Sequence, residues 1–223
     1  MIKINEIFSE SDNRIALLCD SVMDTADLAG VADYVINTGM DTVSVLPEMV
    51  SFLWACLEHS NVKIFTQYKV IMLPKTVEKE MSLLSQNIIQ SYKNGASGIQ
   101  LFIKKRNLEK FVDILSVIHD DLFFEHSLAI FLDIQDINID DWEMVFDKLN
   151  TIKANVFGLT CSMVKNKHSD FIGRIYGMLE NWNFDGELHF MLENDLYKTD
   201  QVMRLIESLR PELSNKIKFF IEQ

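Results

Sequence analysis

"LAIFLDIQDINIDDWEMVFDKLNTIKANVFGLTC", residues 128–161, decides how the chain is read. It opens on an apolar run, LAIFLDI (128–134), and closes on another, NVFGLTC (155–161), with an amphipathic stretch over 138–151 between them. Two short apolar runs around a helical stretch make a strand–helix–strand unit. Strands that are apolar along nearly their whole length fit a parallel sheet covered on both faces. Parallel neighbours joined through a helix imply a right-handed crossover.

The same unit repeats outward in both directions. Toward the N-terminus the runs RIALLC (14–19), DTVSVL (41–46), VKIFTQYKV (62–70) and GIQLFI (98–103) read as strands. Helices are expected over 24–38, after Pro47, over 76–93 and over 107–119. Asp24 or Thr25 can cap the first of these and Gly39 can end it. Pro47 suits a helix start, where its missing N–H is no loss. Toward the C-terminus ELHFML (187–192) and KIKFFI (216–221) are strands, with helices over 168–182 and 198–209.

Eight strands and seven helices in alternation predict one (β/α)8 barrel spanning residues 1–223 as a single domain that lacks the final helix. A doubly wound open sheet has the same local pattern. CDSVMDTADLAG (19–30), after the first strand, has no G-x-G-x-x-G, which weakens that alternative. With no helix after KIKFFI, its outer face needs cover, whether that face carries Ile217, Phe219 and Ile221 or Phe220. The segment IKINEIF (2–8) or a second subunit would supply it, and a homodimer is the expectation.

The chain of 223 residues is 48% apolar with a formal net charge of −12. Such an acidic balance argues against nucleic-acid binding and against attraction to an anionic membrane surface. Cys19, Cys56 and Cys161 fit no zinc spacing and read as buried thiols of a reducing compartment. The N-terminus has no signal-peptide core and MVSFLWACLEH (49–59) is too short to span a bilayer. A soluble cytoplasmic protein is expected.

Three stretches resemble the deoxyribose-phosphate aldolase family. DTADLAGVADYVINTGMDTVSVLPEMVSFLWACLEHSNVKIFT (24–66) is similar to its opening helix, second strand and the helix leading to the third. NIIQSYKNGASGIQLFI (87–103) resembles its helix, Gly-Ala turn and fourth strand, and 128–162 its fifth and sixth strands. The resemblance implies a class I aldolase barrel, in which a strand-six lysine forms an imine beside a strand-seven lysine and a strand-four aspartate moves protons.

The chain departs from that pattern at each of these places. Gly158 stands at the nucleophile's position, Gln100 at the aspartate's, and Leu192 near the second lysine's. Gln100 can hydrogen-bond but cannot accept a proton at neutral pH. ENDLY (193–197) replaces the phosphate-binding glycines, and Glu193 and Asp195 would repel a phosphate there.

Asp20 and Asp133 end strands one and five at the face where barrels build active sites, and resemble acidic residues of the family. Carboxylates at strand ends more often hold loop backbone. KKRN (104–107) could hold an anion, though a solvated loop is the commoner role. Lys165 and Lys167 could supply a relocated imine lysine. Cys161 and Ser162 lack a positioned base, and no pair of the five histidines has metal spacing. His189, inside a strand, reads as a core or interlayer residue.

The expectation is therefore a barrel that has lost aldolase chemistry and serves as a binding or assembly protein. No cofactor or metal is expected, and a small neutral or cationic ligand would meet Gln100, Thr160 and Glu193. The alternative is a lyase or isomerase using Asp20, Asp133, Lys165 or Lys167.

Overall fold

Eight parallel strands close into a barrel in sequence order, β1 to β8. The computed structural model describes residues 13–70, 77–112, 126–161, 168–192 and 195–222. The strands are β1 (Ile15–Leu18), β2 (Thr42–Val45), β3 (Lys63–Lys69), β4 (Gly98–Phe102), β5 (Ser127–Asp133), β6 (Val156–Thr160), β7 (Glu187–Met191) and β8 (Ile217–Glu222). The helices are α1 (Thr25–Thr38), α2 (Val50–Leu57), α3 (Val77–Lys93), α4 (Trp142–Thr151), α5 (His168–Glu180) and α6 (Leu196–Leu209). After β4 a 3-10 turn, Lys105–Asn107, leads into helical residues 108–112. The rest of the helix expected to 119 lies outside the described residues, as does the segment 1–12.

Local chemistry sets the boundaries. Asp24, of the two candidate caps, takes the N–H groups of Ala26 and Asp27 at 2.9 Å each. Gly39 ends α1 with φ 70°, a left-handed conformation that glycine adopts without a Cβ clash. Pro47 opens a 3-10 turn, Pro47–Met49, that feeds α2. The helix expected from 138 starts as a second such turn, Ile139–Asp141, closed by a reciprocal cap between Asn138 and Asp141. Among the described residues no helix is long and apolar enough to cross a membrane.

Outward-facing strand residues such as Ile64, Ile130, Phe157 and Phe190 form the core beneath the helices. Trp142, Phe146, Phe157 and Trp182 pack there as an aromatic group with centroids 5.1–6.5 Å apart. Ile217, Phe219 and Ile221 are 2%, 2% and 6% exposed within the single chain. The outer face of β8 thus needs no second subunit to bury it, and that ground for a dimer falls away.

The cross-strand register stacks the inward residues in layers of four from alternate strands, as strand tilt in a closed barrel requires. Ala16, Phe65, Ala129 and His189 make one layer. Ser44, Gln100, Gly158 and Phe220 make the next. Leu18, Gln67, Phe131 and Met191 make the third, toward the C-terminal end. Ala16, Phe65, Ala129 and Phe131 belong to a core cluster separate from the outer one.

Candidate functional site

The lumen has no room for a side chain at Gly158, the position that the aldolase resemblance matches to the imine lysine. Phe131 on β5 pairs directly with Gly158 on β6. A Cβ added at Gly158 would come within 2.4 Å of three Phe131 ring atoms. Gly98 pairs with Phe65 in the same way, and its Cβ would meet that ring at 2.4 Å. Each glycine is a place where an aromatic side chain lies flat across its cross-strand neighbour, so glycine is needed for space. Phe131 also stacks on Phe102 at 4.8 Å and lies edge-on to Phe220 at 6.5 Å.

Gln100 lies in the same layer as Gly158, so the two positions that the aldolase resemblance couples are at one height in the lumen. Gln100 is fully buried and its Oε1 accepts from the Ser44 hydroxyl at 2.6 Å. Its Nε2 has no hydrogen-bond partner among the described residues, nor has Nδ1 of His189. His189 Nε2 meets Glu187 Oε2 at 2.9 Å. Desolvation holds the His189 pKa below its ordinary value, opposed by the Glu187 hydrogen bond. That same bond lowers the Glu187 pKa. Both directions fit a neutral imidazole donating to a carboxylate.

Leu192 faces away from the lumen and joins the outer core, 4% exposed. Met191, its neighbour on β7, looks inward. The position matched to the second lysine is thus on the wrong side of the strand for lumen chemistry.

Above Phe131 the barrel opens into a cup of about 280 Å3 at the C-terminal ends of the strands. Asp20, Lys69 and Glu222 supply its charge, and Gln67 and Thr160 its neutral polar groups. Leu18, Phe102 and Met191 are its apolar walls. Of the residues expected from sequence, Asp20 and Thr160 meet here. Gln100 lies one layer below the Phe131 layer, out of solvent. Asp133 takes the Gln135 N–H at 2.9 Å and caps a 3-10 turn, the backbone role open to it from the start. Lys165, Lys167, Glu193 and Ser162 lie outside the described residues.

Other candidates have structural partners. Lys105 of the basic cluster pairs with Asp141. Asp195 caps α6 through the Lys198 N–H at 3.0 Å and pairs with the Lys198 ammonium. Burial, helped by Asp20, pushes the Cys19 thiol up to about 11, so it is not a thiolate at neutral pH. Cys161 is buried too, but Cys56, expected to be buried, is exposed because it lies on the solvent side of α2. Among the described residues no group of acidic, histidine and cysteine side chains could hold a metal ion.

Sequence reading missed Gln67, Lys69 and Glu222. The signal was present in strand parity: Phe65, Gln67 and Lys69 alternate along β3 on the face that turns inward. It becomes usable only when the inward face is known.

A larger cavity, about 650 Å3, lies at the opposite end, with Arg14, Lys63, Lys216 and Lys218 at its wall. Lys218 is held by Asp41 Oδ1 at 2.6 Å and Asn13 O at 2.8 Å. Lys216 pairs with Asp185 at 3.1 Å and Arg14 with Glu207 at 3.4 Å. Arg14, Lys216 and Lys218 are thus engaged in holding strands and turns together, and the smaller cup, at the end where barrels build active sites, is the candidate site.

No family model matches the chain, and no curated protein matches it. Solved structures do resemble it. The deoxyribose phosphate aldolase of Aeropyrum pernix superposes with a TM-score of 0.71 at 11% identity, over 97% of this chain and 90% of that one. A Coccidioides immitis protein described as a deoxyribose-phosphate aldolase gives 0.71 at 10% identity, over 95% and 81%. A Streptococcus agalactiae protein described as a copper homeostasis protein gives 0.66 at 10%, over 93% and 97%. At such identities the likeness is one of fold: this chain is built as an aldolase-like (β/α)8 barrel.

Proposed function

We propose that this barrel binds a small molecule at its C-terminal mouth and has no imine-forming aldolase chemistry at the β6 position. The observation that carries the reading is Phe131 lying across Gly158, which fills the space a nucleophilic lysine would need. Two further features support it. Gln100, at the level of Gly158, is tied to Ser44 and sealed from solvent. The acidic Asp20 and Glu222 at the mouth are unfavourable to an arriving phosphate.

The alternative is a lyase or isomerase that works from the mouth, through Asp20 or a lysine elsewhere than β6. One experiment separates the two. The protein is incubated with 2-deoxyribose 5-phosphate, acetaldehyde and pyruvate, with and without borohydride. No cleavage and no trapped adduct is the expected result. An adduct mapped to Lys69, Lys165 or Lys167 would establish the enzyme instead.

Assembly is part of the same reading. The Aeropyrum pernix aldolase is a tetramer. Ile36 on α1 and Trp54 on α2 are 50% and 46% exposed and suit a self-contact in a homodimer. Light scattering at several concentrations measures it. The three free thiols suit a reducing, cytoplasmic setting.

A further inference from the structure

We propose that the mouth accepts a small zwitterion of amino-acid size, its ammonium and carboxylate groups meeting different walls of the cup. The inference rests on the binding reading above and names the ligand class of that site. Asp20 follows the end of β1 and Lys69 ends β3, so the end of β2 lies between them at the rim. Both line the same cavity and both are exposed. Opposite charges this near in the fold commonly pair, yet no contact within 4.0 Å joins them. Neither forms an ion pair with any described residue.

The acidic side of the cup extends to β8, where Glu222 pairs in register with Leu18 of β1. The basic side is β3. A ligand with one charge of each sign can satisfy both sides at once, whereas a phosphate meets two carboxylates and a simple amine leaves Lys69 unmatched.

Gln67 gives an independent pointer to a ligand. It is 6% exposed and lies two residues before Lys69 on the cavity wall. Its Nε2 stands at 3.5 Å from the Cys19 carbonyl oxygen, the outer limit of a hydrogen bond. Its Oε1 accepts no hydrogen bond from any described residue. That oxygen is not sealed in protein and opens onto the cavity, where a ligand donor can take the place of water. A ligand ammonium can donate to it and to Asp20, while the ligand carboxylate takes Lys69. Leu18, Phe102 and Met191 leave an apolar surface for a short side chain, and about 280 Å3 restricts its size.

The test is titration calorimetry of the intact protein with the standard L-amino acids up to leucine in size. Each is run beside the amine lacking its carboxylate and the acid lacking its ammonium. At least one amino acid should bind about tenfold or more tightly than both counterparts, since each removed charge leaves a charge-assisted hydrogen bond unmade. Lys69→Met should lower that affinity to the level of the amine, and Asp20→Asn to the level of the acid. Both side chains are exposed, so both variants should melt with the wild type. The proposal is overturned if no amino acid binds, if either counterpart binds as well, or if both variants keep wild-type affinity. Binding of neutral 2-deoxyribose without any amino acid would overturn the zwitterion and leave the binding reading standing. Cleavage of 2-deoxyribose 5-phosphate would overturn the binding reading itself.

Discussion

The two ends of the barrel carry similar charged side chains and use them differently. At the N-terminal end Lys218 grips Asp41 and the Asn13 carbonyl, and Glu187 holds His189. At the C-terminal end Asp20 and Lys69 line one cavity without an ion pair to any described residue. Between the two ends lie Phe131, Phe65 and Phe220, which fill the lumen. Charge that is paired and half-buried fixes geometry. Charge left unpaired beside a cavity is available to a ligand. Barrel folds divide stability and function between their two faces in this way.

The largest effect should come from removing what separates the ends. Phe131→Ala should cost about 3–5 kcal/mol in urea denaturation, as for a large aromatic taken from a packed core. Gly158→Ala, which drives a Cβ into the same ring, should cost about 1–3 kcal/mol. The double variant should cost clearly less than their sum, because each relieves the other's fault. Additive costs would show that the ring and the glycine are not packed together. Gly158→Lys should gain no aldolase activity, since its partner groups are absent too.

Next is the paired end itself. Lys218→Met leaves Asp41 without its ammonium and should cost about 1–3 kcal/mol. The loss should appear in thermal unfolding while ligand binding at the mouth stays unchanged.

Acid sharpens the comparison further. The folded His189 pKa lies below its ordinary 6.5, so below that value the unfolded chain binds the proton more readily. Stability therefore falls as pH drops from about 6.5 toward the folded pKa. Glu187, also lowered, adds a second loss as pH falls below 4.5 toward its own folded value. Lys218 and Asp41 also act on His189, with opposite signs. Melting temperature should decline across this range, and Glu187→Gln should remove the lower part of the decline. A flat profile from pH 7 to 4 would mean that the pair does not support the fold.

Asp133→Ala removes the cap of the turn after β5 and should cost about 0.5–2 kcal/mol with ligand affinity kept. A loss of binding at full stability would instead put Asp133 in the site. Smallest of all, Asp20→Asn and Lys69→Met should change stability by no more than about 0.5 kcal/mol. Their effect belongs to binding. If they destabilised the protein as much as Lys218→Met, the two ends would not differ as described.

Much of the barrel was legible in the chain. Alternating apolar runs and amphipathic stretches located each strand to within a residue or two, because burial on both faces leaves a local record in composition. Asp24 and Gly39 marked the ends of α1 through chemistry that needs only near neighbours. Gly158 and Gln100, at the positions the aldolase resemblance assigns to a lysine and an aspartate, were also visible, and register places both in one layer. What sequence could not tell was the side of the strand on which Leu192 lies, because a shift of one residue reverses the face. Nor could it tell that Phe131 covers Gly158, since the two are 27 positions apart and meet only through pairing of β5 with β6. The mouth followed the same rule. Lys69, Asp20 and Glu222 come from strands three, one and eight, and only closure of the sheet brings them around one cavity. Periodicity and caps are local, so the residues determine them directly; register and closure are contacts between distant segments, and those the tertiary structure alone decides.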